Sequence, residues 1–296
     1  MAKQERVLLI TAASLVGDYL ALAFARPGYT VVETRQKQPG ATHSHAVDLR
    51  DRACLERLFE REQPDIVLLC AALTNVDYCE THQQEAYAVN VAGPQIVAGL
   101  CADKAKLVFF SSDYVFDGKA GPYSEEDQPA PVDYYGQCKL EAEELIRRLV
   151  KRYLIIRTTV VYGNESAGKN FACSLVSMLA RGESRRVPRD QIGNPTYGLN
   201  LARIVEELVR ADCRGIFNVV GADLIDRYRF ALEICSVFGL NKDLIIPVTT
   251  ADFKQPAQRP LKAGLRTEKV RAAVSEKPMG VREGLTLFKK ELQCKN

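Results

Sequence analysis

The 296-residue chain contains no tryptophan, only three histidines and only three methionines, and it lacks long apolar runs. A membrane-spanning helix needs about 20 consecutive apolar residues, so the sequence predicts no membrane partner. Three histidines are a poor supply for a metal centre or a histidine-based triad. His43 and His45 are close enough in sequence to bind a metal, but we interpret them as solvated loop residues and predict no metal site.

The nine cysteines include no Cys-x-x-Cys pair, and their number is odd. This pattern disfavours both a disulfide framework and a zinc site. Several cysteines lie in apolar runs, such as Cys70 in IVLLCAAL and Cys235 in ALEICSVF, where a thiol behaves as a small buried hydrophobe. Because the N-terminus also lacks a charged segment followed by an apolar one, we expect a reduced, cytoplasmic protein.

The charge is almost balanced, with 40 basic residues against 37 acidic residues and a formal net charge of +3. Nucleic-acid-binding domains carry a concentrated positive charge, which this composition does not supply. The sequence therefore predicts a small-molecule partner and no nucleic acid.

Short apolar runs alternate with helical patterns through the first half of the chain. Near-continuous apolar strands separated by helices indicate a parallel sheet covered on both faces, that is, an α/β doubly wound (Rossmann) fold. The predicted strands are 6–11, 30–34, 64–72, 106–112 and 153–163, and the predicted helices between them are 17–24, 52–62, 85–102 and 135–151.

The pattern loosens after residue 163, where polar, Gly-containing stretches separate shorter helices. This change predicts a smaller C-terminal lobe. We assign residues 1–163, with part of 195–221, to the doubly wound domain, and residues 164–194 and 222–296 to the lobe.

A catalytic pattern follows the strand KLVFFSS, which ends in Ser111 and Ser112. Tyr135 and Lys139 come later, at positions i and i+4 of a predicted helix, so their side chains share one face. A nearby cation favours the phenolate and is expected to lower the pKa of Tyr135. A serine hydroxyl at a neighbouring strand end can bind the same substrate oxygen, and the three groups predict a carbonyl/alcohol site.

Long segments resemble the extended, nucleotide-sugar-modifying branch of the short-chain dehydrogenase/reductase superfamily. Within it the chain is most similar to the dTDP-4-dehydrorhamnose reductase family, a relative of the regulatory β subunit of methionine adenosyltransferase. The segments that carry the resemblance are AALTNVDYCE, YAVNVAG, SSDYVFDG, YSEEDQPAPVDYYGQCKLEAE, RTTVVYG, DQIGNPTYG and QRPLKAGL.

This resemblance implies a dinucleotide-binding first domain, a substrate-binding lobe and roles for individual residues. Tyr135 would protonate the C4 oxygen of a 4-keto sugar, Lys139 would hold the nicotinamide ribose, and Ser112 would polarise the carbonyl. The implied cofactor-binding residues are Thr11, Ala12, Ser14, Leu15, Val16, Arg35, Asp48, Leu49, Ala71, Ala72 and Asn90, together with Tyr135 and Lys139. The implied substrate-binding residues are Thr74, Val76, Asp113, Tyr114, Asn170, Gln191, Thr196 and Arg259.

Two of these residues also have a purely structural interpretation. Asn90 is equally consistent with a buried or helix-capping amide. Arg259 suits a bidentate contact with a diphosphate, but it also suits a structural arginine tied to backbone carbonyls.

The cofactor turn departs from the family pattern Thr-Gly-x-x-Gly-x-x-Gly. Ala12 stands at the first glycine position, the turn is one residue shorter, and only Gly17 remains. Because these glycines allow the tight turn and the approach to the pyrophosphate, weakened cofactor binding is expected. Arg35 follows the second strand, where NAD-selective members carry an acidic residue, so NADP(H) is favoured over NAD(H); the alternative for Arg35 is an ordinary loop cation.

Two functions remain open on the sequence. The first is NADPH-dependent reduction of a nucleotide-linked 4-keto-6-deoxy sugar, for which a homodimer is one option. The alternative is a non-catalytic, NADP-binding regulatory subunit with a catalytic partner chain, as in the methionine adenosyltransferase β subunit. Val160 stands where the rhamnose reductases tend to place a tryptophan, which leaves the exact sugar open.

Overall fold

The computed structural model describes residues 4–11, 14–35, 44–165 and 168–293. Its centre is a seven-stranded parallel sheet with the strand order β11-β6-β5-β4-β1-β2-β3. This order confirms the predicted α/β doubly wound fold. Successive strands are added to one side of β1 as far as β3 and then, from β4 onward, to its other side. The strands are β1 (Glu5–Ile10), β2 (Tyr29–Arg35), β3 (Ser44–Ala46), β4 (Ile66–Leu69), β5 (Lys106–Ser112), β6 (Tyr153–Thr158) and β11 (Gly215–Asn218).

Helices cover both faces of this sheet. The first set packs on one face around Leu9 and Leu20 and includes α1 (Leu15–Phe24) and α8 (Gly198–Arg210). The second set packs on the other face around Leu8 and Ile146. It consists of α2 (Arg52–Glu62), α5 (Gly93–Cys101) and α6 (Tyr134–Leu149), and α5 is preceded by α3 (Val76–Thr81), α4 (Gln83–Tyr87) and the π-helical turn Ala88–Ala92.

The remaining elements surround the carboxyl ends of β5 and β6. Three two-stranded pairs form there: β7 (Val161–Tyr162) with β10 (Thr196–Tyr197), β8 (Arg185–Pro188) with β13 (Ile245–Val248), and β9 (Ile192–Gly193) with β12 (Ile225–Asp226). The helices of this part are α7 (Phe171–Ala180), α9 (Arg227–Phe238), α10 (Glu268–Ala273) and α11 (Val281–Gln293). The division of the chain into two domains at the stated residues stays a prediction.

The predicted strand 153–163 is wrong in its length. It is interrupted after Thr158 and resumes at Val161, because Val160 has a φ of 47°. A β-branched side chain seldom adopts this left-handed backbone conformation, and the break turns the chain out of the sheet toward the second part of the molecule.

None of the helices within the described ranges is long and apolar enough to cross a membrane. Likewise, these ranges contain no group of three or more His, Cys, Asp and Glu side chains placed to hold a metal ion.

Candidate active site

Ser112 and Tyr135 meet where β5 ends. Ser112 is the last residue of the strand and is buried; its Oγ donates to Asp113 Oδ1 at 3.0 Å and accepts from the Tyr114 N–H at 3.2 Å. The Ser112 hydroxyl also lies within hydrogen-bonding reach of the Tyr135 phenol. The structure thus brings together the two oxygen groups predicted to act on one carbonyl.

The start of α6 explains how Tyr135 reaches this position. The Asp133 carboxylate caps the helix by accepting from the Gly136 N–H at 2.8 Å. Gly136 lies directly against the backbone carbonyl of Tyr114, so a Cβ at this position would collide with it. Glycine therefore lets the helix approach the turn after β5 closely enough for Tyr135 to contact Ser112.

Lys139 lies one turn further along α6 and is 3% exposed. Its Nζ sits 4.5 Å from the centre of the Phe109 ring and has no hydrogen-bond acceptor within the described residues. Burial lowers the pKa of Lys139 to about 8, and the Glu143 carboxylate opposes that shift. A buried ammonium without an acceptor is costly, so this position is built for a ligand that supplies oxygen atoms.

The expected lowering of the Tyr135 pKa is wrong for the free protein. Burial raises the pKa of this phenol well above its usual value, and the charge of Asp113 adds to the rise, while the Ser112 hydroxyl opposes it. Residue spacing reveals the cation on the same helix face but does not reveal the desolvation of the phenol. Tyr135 therefore stays protonated at neutral pH, as a proton donor requires.

A groove for an elongated ligand runs along the carboxyl ends of β1 and β4. It encloses about 130 Å³. Its lining is mostly apolar, with Asp48, Arg50 and Glu85 as its charged members, and consists of Ile10, Thr11, Val47, Asp48, Leu49, Arg50, Ala71, Ala72, Leu73, Glu85 and Val89. The structure thus gathers five of the residues predicted to bind the cofactor, namely Thr11, Asp48, Leu49, Ala71 and Ala72. Asp48 is held by Arg50, whose Nη2 donates to Asp48 Oδ2 at 2.7 Å. Sequence reasoning missed Arg50, which follows the predicted aspartate by two positions.

The first turn of α1 borders the same strand end. Ser14 caps the helix by accepting from the Gly17 N–H at 3.2 Å, and its hydroxyl lies 3.0 Å from that of Thr11. The side chains of Leu15 and Val16 pack in the core, so these two residues offer a ligand only their backbone N–H groups. Gly17 lies so close to Thr11 that a Cβ would overlap its side chain.

Two predicted cofactor residues cannot be placed. Ala12 lies outside the described residues. Arg35 ends β2, but its side chain lies outside the described part of the structure. The predictions made from these two residues therefore stay predictions.

Asn90 has the structural role that the sequence left open. Its side-chain amide accepts from the Leu73 N–H at 2.8 Å and donates to the Leu73 carbonyl at 2.9 Å. Asn90 therefore holds the loop after β4 in place, and its side chain does not line the groove.

A second cavity of about 430 Å³ opens beyond Tyr114. Six residues expected to bind substrate lie there or beside it. Thr74, Val76, Tyr114, Gln191 and Arg259 line it, and Asp113 lines a neighbouring pocket that shares Tyr114, Gln191 and Arg227. Arg259 combines its two interpretations, because it faces the cavity while its Nη2 pairs with Asp77 Oδ2 at 2.8 Å and its Nη1 donates to the Ala257 carbonyl.

Sequence reasoning missed the other cations of this cavity, Arg185, Arg186 and Arg227. The guanidinium groups of Arg185 and Arg227 both lie on the Phe171 ring, at 5.1 Å and 5.2 Å from its centre. The Arg227 side chain makes no hydrogen bond or ion pair with any described residue, and burial lowers its pKa. The signal available in the sequence was a pair of Arg-rich segments, SRR and DRYR.

Two residues predicted to bind substrate have other partners. Asn170 caps α7, because its Oδ1 accepts from the Cys173 N–H at 3.1 Å while its Nδ2 donates to the Gly163 carbonyl. The buried Thr196 hydroxyl donates to the Asn194 carbonyl at 2.9 Å and accepts from the Gly221 N–H. Both side chains thus have backbone partners, and their role in substrate binding stays a prediction. The neighbouring residues Phe171 and Pro195 line the cavities.

Comparison with known proteins identifies the family. A family model described as the RmlD substrate binding domain matches residues 5–294. The probable low-salt glycan biosynthesis reductase Agl14 of Haloferax volcanii is 33% identical over 88% of this chain and 89% of its own length. A dTDP-4-dehydrorhamnose reductase of Mycobacterium tuberculosis is 33% identical over 87% of this chain and 83% of its own length. The solved dTDP-4-dehydrorhamnose reductase of Bacillus anthracis, in complex with NADP, superposes with a TM-score of 0.89 at 28% identity, covering 98% of this chain and 100% of that one.

Proposed function

Because the chain belongs to the family described as the RmlD substrate binding domain, we propose that it is an NADPH-dependent reductase of a nucleotide-linked 4-keto-6-deoxy sugar. The observation that carries this proposal is the group formed by Ser112 at the end of β5 with Tyr135 and the acceptor-free Lys139 on the first turns of α6. The substrate we propose is dTDP-4-dehydrorhamnose, the substrate named for the relatives in Mycobacterium tuberculosis and Bacillus anthracis.

The residues of the groove suit a dinucleotide. Ala71 and Ala72 leave room beside the sheet, and the N–H groups of Leu15 and Val16 belong to the helix turn that lacks intrahelical acceptors. The Lys139 ammonium needs acceptors, which the hydroxyls of a ribose provide. Bound NADPH supplies the hydride for the reduction.

The chain's own groups handle the oxygen of the substrate. Tyr135 is protonated and buried, so it can donate its proton to the carbonyl oxygen as that oxygen gains negative charge. Ser112, within reach of the same phenol, holds the oxygen by a hydrogen bond. Lys139 fixes the sugar of the cofactor and places a positive charge near the phenol as the proton leaves.

The second cavity suits the nucleotide part of the substrate. A diphosphate carries negative charge and accepts bidentate hydrogen bonds from guanidinium groups. Arg227 has no partner within the described residues, and Arg185, Arg186 and Arg259 line the same 430 Å³ space. Phe253 lies at its edge with the Arg186 guanidinium 5.4 Å from its ring, which offers an aromatic surface for a base.

The test is NADPH oxidation by the purified protein supplied with dTDP-4-dehydrorhamnose. We expect turnover with NADPH in preference to NADH, and we expect Tyr135→Phe to lower kcat by about 100- to 10,000-fold, since it removes the proton donor. The variant should still show a thermal shift with NADPH, because a ligand that binds the folded state raises its stability.

Tyr134→Phe, on the adjacent position of α6, is the matched control and should retain turnover. NADPH binding without turnover in the unmodified protein would favour the regulatory-subunit alternative. Absence of both binding and turnover would refute the proposal together with that alternative.

A further inference from the structure

Asp113 is a buried carboxyl group directly behind the Ser112 hydroxyl. It is 4% exposed, and its Oδ1 lies 3.0 Å from Ser112 Oγ. The Thr159 hydroxyl is within hydrogen-bonding reach of this carboxyl group and lowers its pKa, and the unpaired Arg227 lines the same pocket. The Ser112 hydroxyl therefore lies between Asp113, to which it is hydrogen-bonded, and the Tyr135 phenol, whose pKa it lowers.

The protonation state of Asp113 determines which way the Ser112 hydroxyl hydrogen points. A serine hydroxyl has a single hydrogen to donate. When Asp113 is ionised it can only accept, so the Ser112 hydrogen points at Asp113 and away from Tyr135. When Asp113 is protonated it donates to Ser112 Oγ, and the Ser112 hydrogen is free to point toward Tyr135 and the substrate oxygen.

We propose, on the basis of the function proposed above, that Asp113 is a positioning residue that acts through Ser112. Its protonated carboxyl group turns the Ser112 hydroxyl toward the reaction site and replaces the proton that Tyr135 gives up. The catalytic contact with the substrate remains that of Tyr135 and Ser112.

The protons balance over one turnover. Hydride addition moves the carbonyl electron pair onto the oxygen, which takes the Tyr135 proton and becomes the product hydroxyl. The Tyr135 phenolate takes the proton of Ser112, and Ser112 takes that of Asp113. Asp113 is left as a carboxylate and is reprotonated from solvent through the pocket that it lines with Thr159, Arg227 and Asp226.

The surroundings of Asp113 raise the pKa of its carboxyl group to a value close to neutrality. Burial raises its pKa to about 6, and the hydrogen bonds from Thr159 and Ser112 and the charge of Arg227 oppose the rise. The other titratable groups near it are the phenols of Tyr114 and Tyr135, both of which are protonated at neutral pH, and Asp226 across the pocket. Asp113 is thus protonated in weak acid and ionised above neutrality.

The test is the pH profile of kcat at saturating NADPH and substrate between pH 5 and 7.5. The unmodified protein should lose about 10-fold or more of its kcat between pH 6 and 7.5, as the protonated fraction of Asp113 falls. Asp113→Asn carries a permanent amide donor toward Ser112 but has no proton to release, so this decline should disappear while kcat at pH 6 falls below that of the unmodified protein. Asp226→Asn, which keeps a side chain able to cap α9, is the matched control and should keep the decline.

A second variant covers the case in which Asp113→Asn does not fold. Thr159→Val removes a hydrogen bond that stabilises the carboxylate, so the midpoint of the decline should move to higher pH. Carboxyl-carbon NMR of protein labelled at aspartate should show a titration near pH 6 that is missing from Asp113→Asn and displaced in Thr159→Val. Burial also raises the pKa of Asp133 to about 6, and the titration of Asp133 should persist in both variants.

The outcomes separate the two proposals. No turnover in the unmodified protein refutes the proposed function, and this inference falls with it. Turnover with a decline that is the same in the unmodified protein and in Asp113→Asn overturns the inference alone. An unmoved midpoint in Thr159→Val does so as well.

Discussion

At the level of one residue, Lys139 is a buried charge that lowers the free energy of unfolding of the protein. Its ammonium is buried against Phe109 with no hydrogen-bond acceptor in the described residues, and burial lowers its pKa to about 8. In the unfolded chain the lysine titrates near 10.4. At neutral pH the buried charge therefore destabilises the folded protein. This destabilisation disappears only when the lysine is neutral.

Replacement of Lys139 by methionine should raise the free energy of unfolding by about 1 to 3 kcal/mol at pH 7. The pH dependence has a definite sign. Because the folded pKa lies below the unfolded one, the stability of the unmodified protein should rise as pH increases from about 8 to 10, and the variant should lack this rise. Urea unfolding at pH 7 and pH 9.5 measures both effects.

The same variant should lose the NADPH-dependent thermal shift, because it removes the ammonium group that we propose binds the ribose. Lys151→Met, at an exposed position that pairs with Asp103, is the control and should leave the stability and the shift almost unchanged. A Lys139→Met protein less stable than the original at pH 7 would contradict this interpretation of the buried charge.

At the level of secondary-structure elements, the position of α1 against β1 depends on one glycine. Gly17 is the glycine that remains in the altered cofactor turn, and a Cβ there would overlap the side chain of Thr11. The last glycine of the usual fingerprint has this role, the close packing of helix on strand. The turn therefore keeps its packing glycine while Ala12 occupies the first glycine position.

Gly17→Ala should push α1 away from β1 and destabilise the protein by about 1 to 3 kcal/mol, with weaker NADPH binding. Gly99→Ala is the matched control, since Gly99 lies in α5 with open space where a Cβ would stand. That substitution should stabilise the protein by about 0.5 to 1 kcal/mol, through helix propensity alone. Equal effects of the two substitutions on stability and on NADPH affinity would show that the contact with Thr11 is unimportant.

The elements were the most predictable part of the structure. Buried strands such as KLVFFSS and amphipathic helices such as 52–62 are determined by local hydrophobic pattern, and their bounds agree with the structure. The strand 153–163 failed because its apolar run continues through Val160, whose left-handed φ arises from tertiary packing. Pattern alone does not reveal such a break.

The sequence predicted only those site residues that belong to a recognisable motif. Ser112, Tyr135 and Lys139 were found from their spacing, and the structure brings them together. Arg227 was missed because its placement on Phe171 depends on how α7 and α9 pack. The sequence does not show that Asn170 and Thr196 bind backbone groups, because polar residues at helix starts and turns can bind either the backbone or a ligand.

At the level of the whole molecule, the C-terminal helix α11 connects the parts that surround the site. Glu291 accepts hydrogen bonds from the phenols of Tyr19 on α1, at 2.5 Å, and Tyr197 at the end of β10, at 2.6 Å. The Tyr19 oxygen also accepts from the Asn164 N–H at 2.8 Å. One carboxylate thereby joins the helix beside the cofactor groove to the segment that follows β7 and to the end of the chain.

Glu291→Ala should therefore destabilise the molecule more than a surface substitution does. It leaves two largely buried phenols without an acceptor, and each unsatisfied group costs about 1 to 3 kcal/mol, so a loss of about 2 to 4 kcal/mol is expected in urea unfolding. Glu291→Gln keeps an acceptor oxygen and should lose less. The control is Glu283→Ala, near the start of α11. No hydrogen bond or ion pair joins the Glu283 side chain to a described residue.

A triple variant tests whether the phenols and the carboxylate act together. Adding Tyr19→Phe and Tyr197→Phe to Glu291→Ala removes the unsatisfied hydroxyls, so the triple variant should recover part of the stability lost in Glu291→Ala. A further additive loss would show that the phenols and the carboxylate act independently.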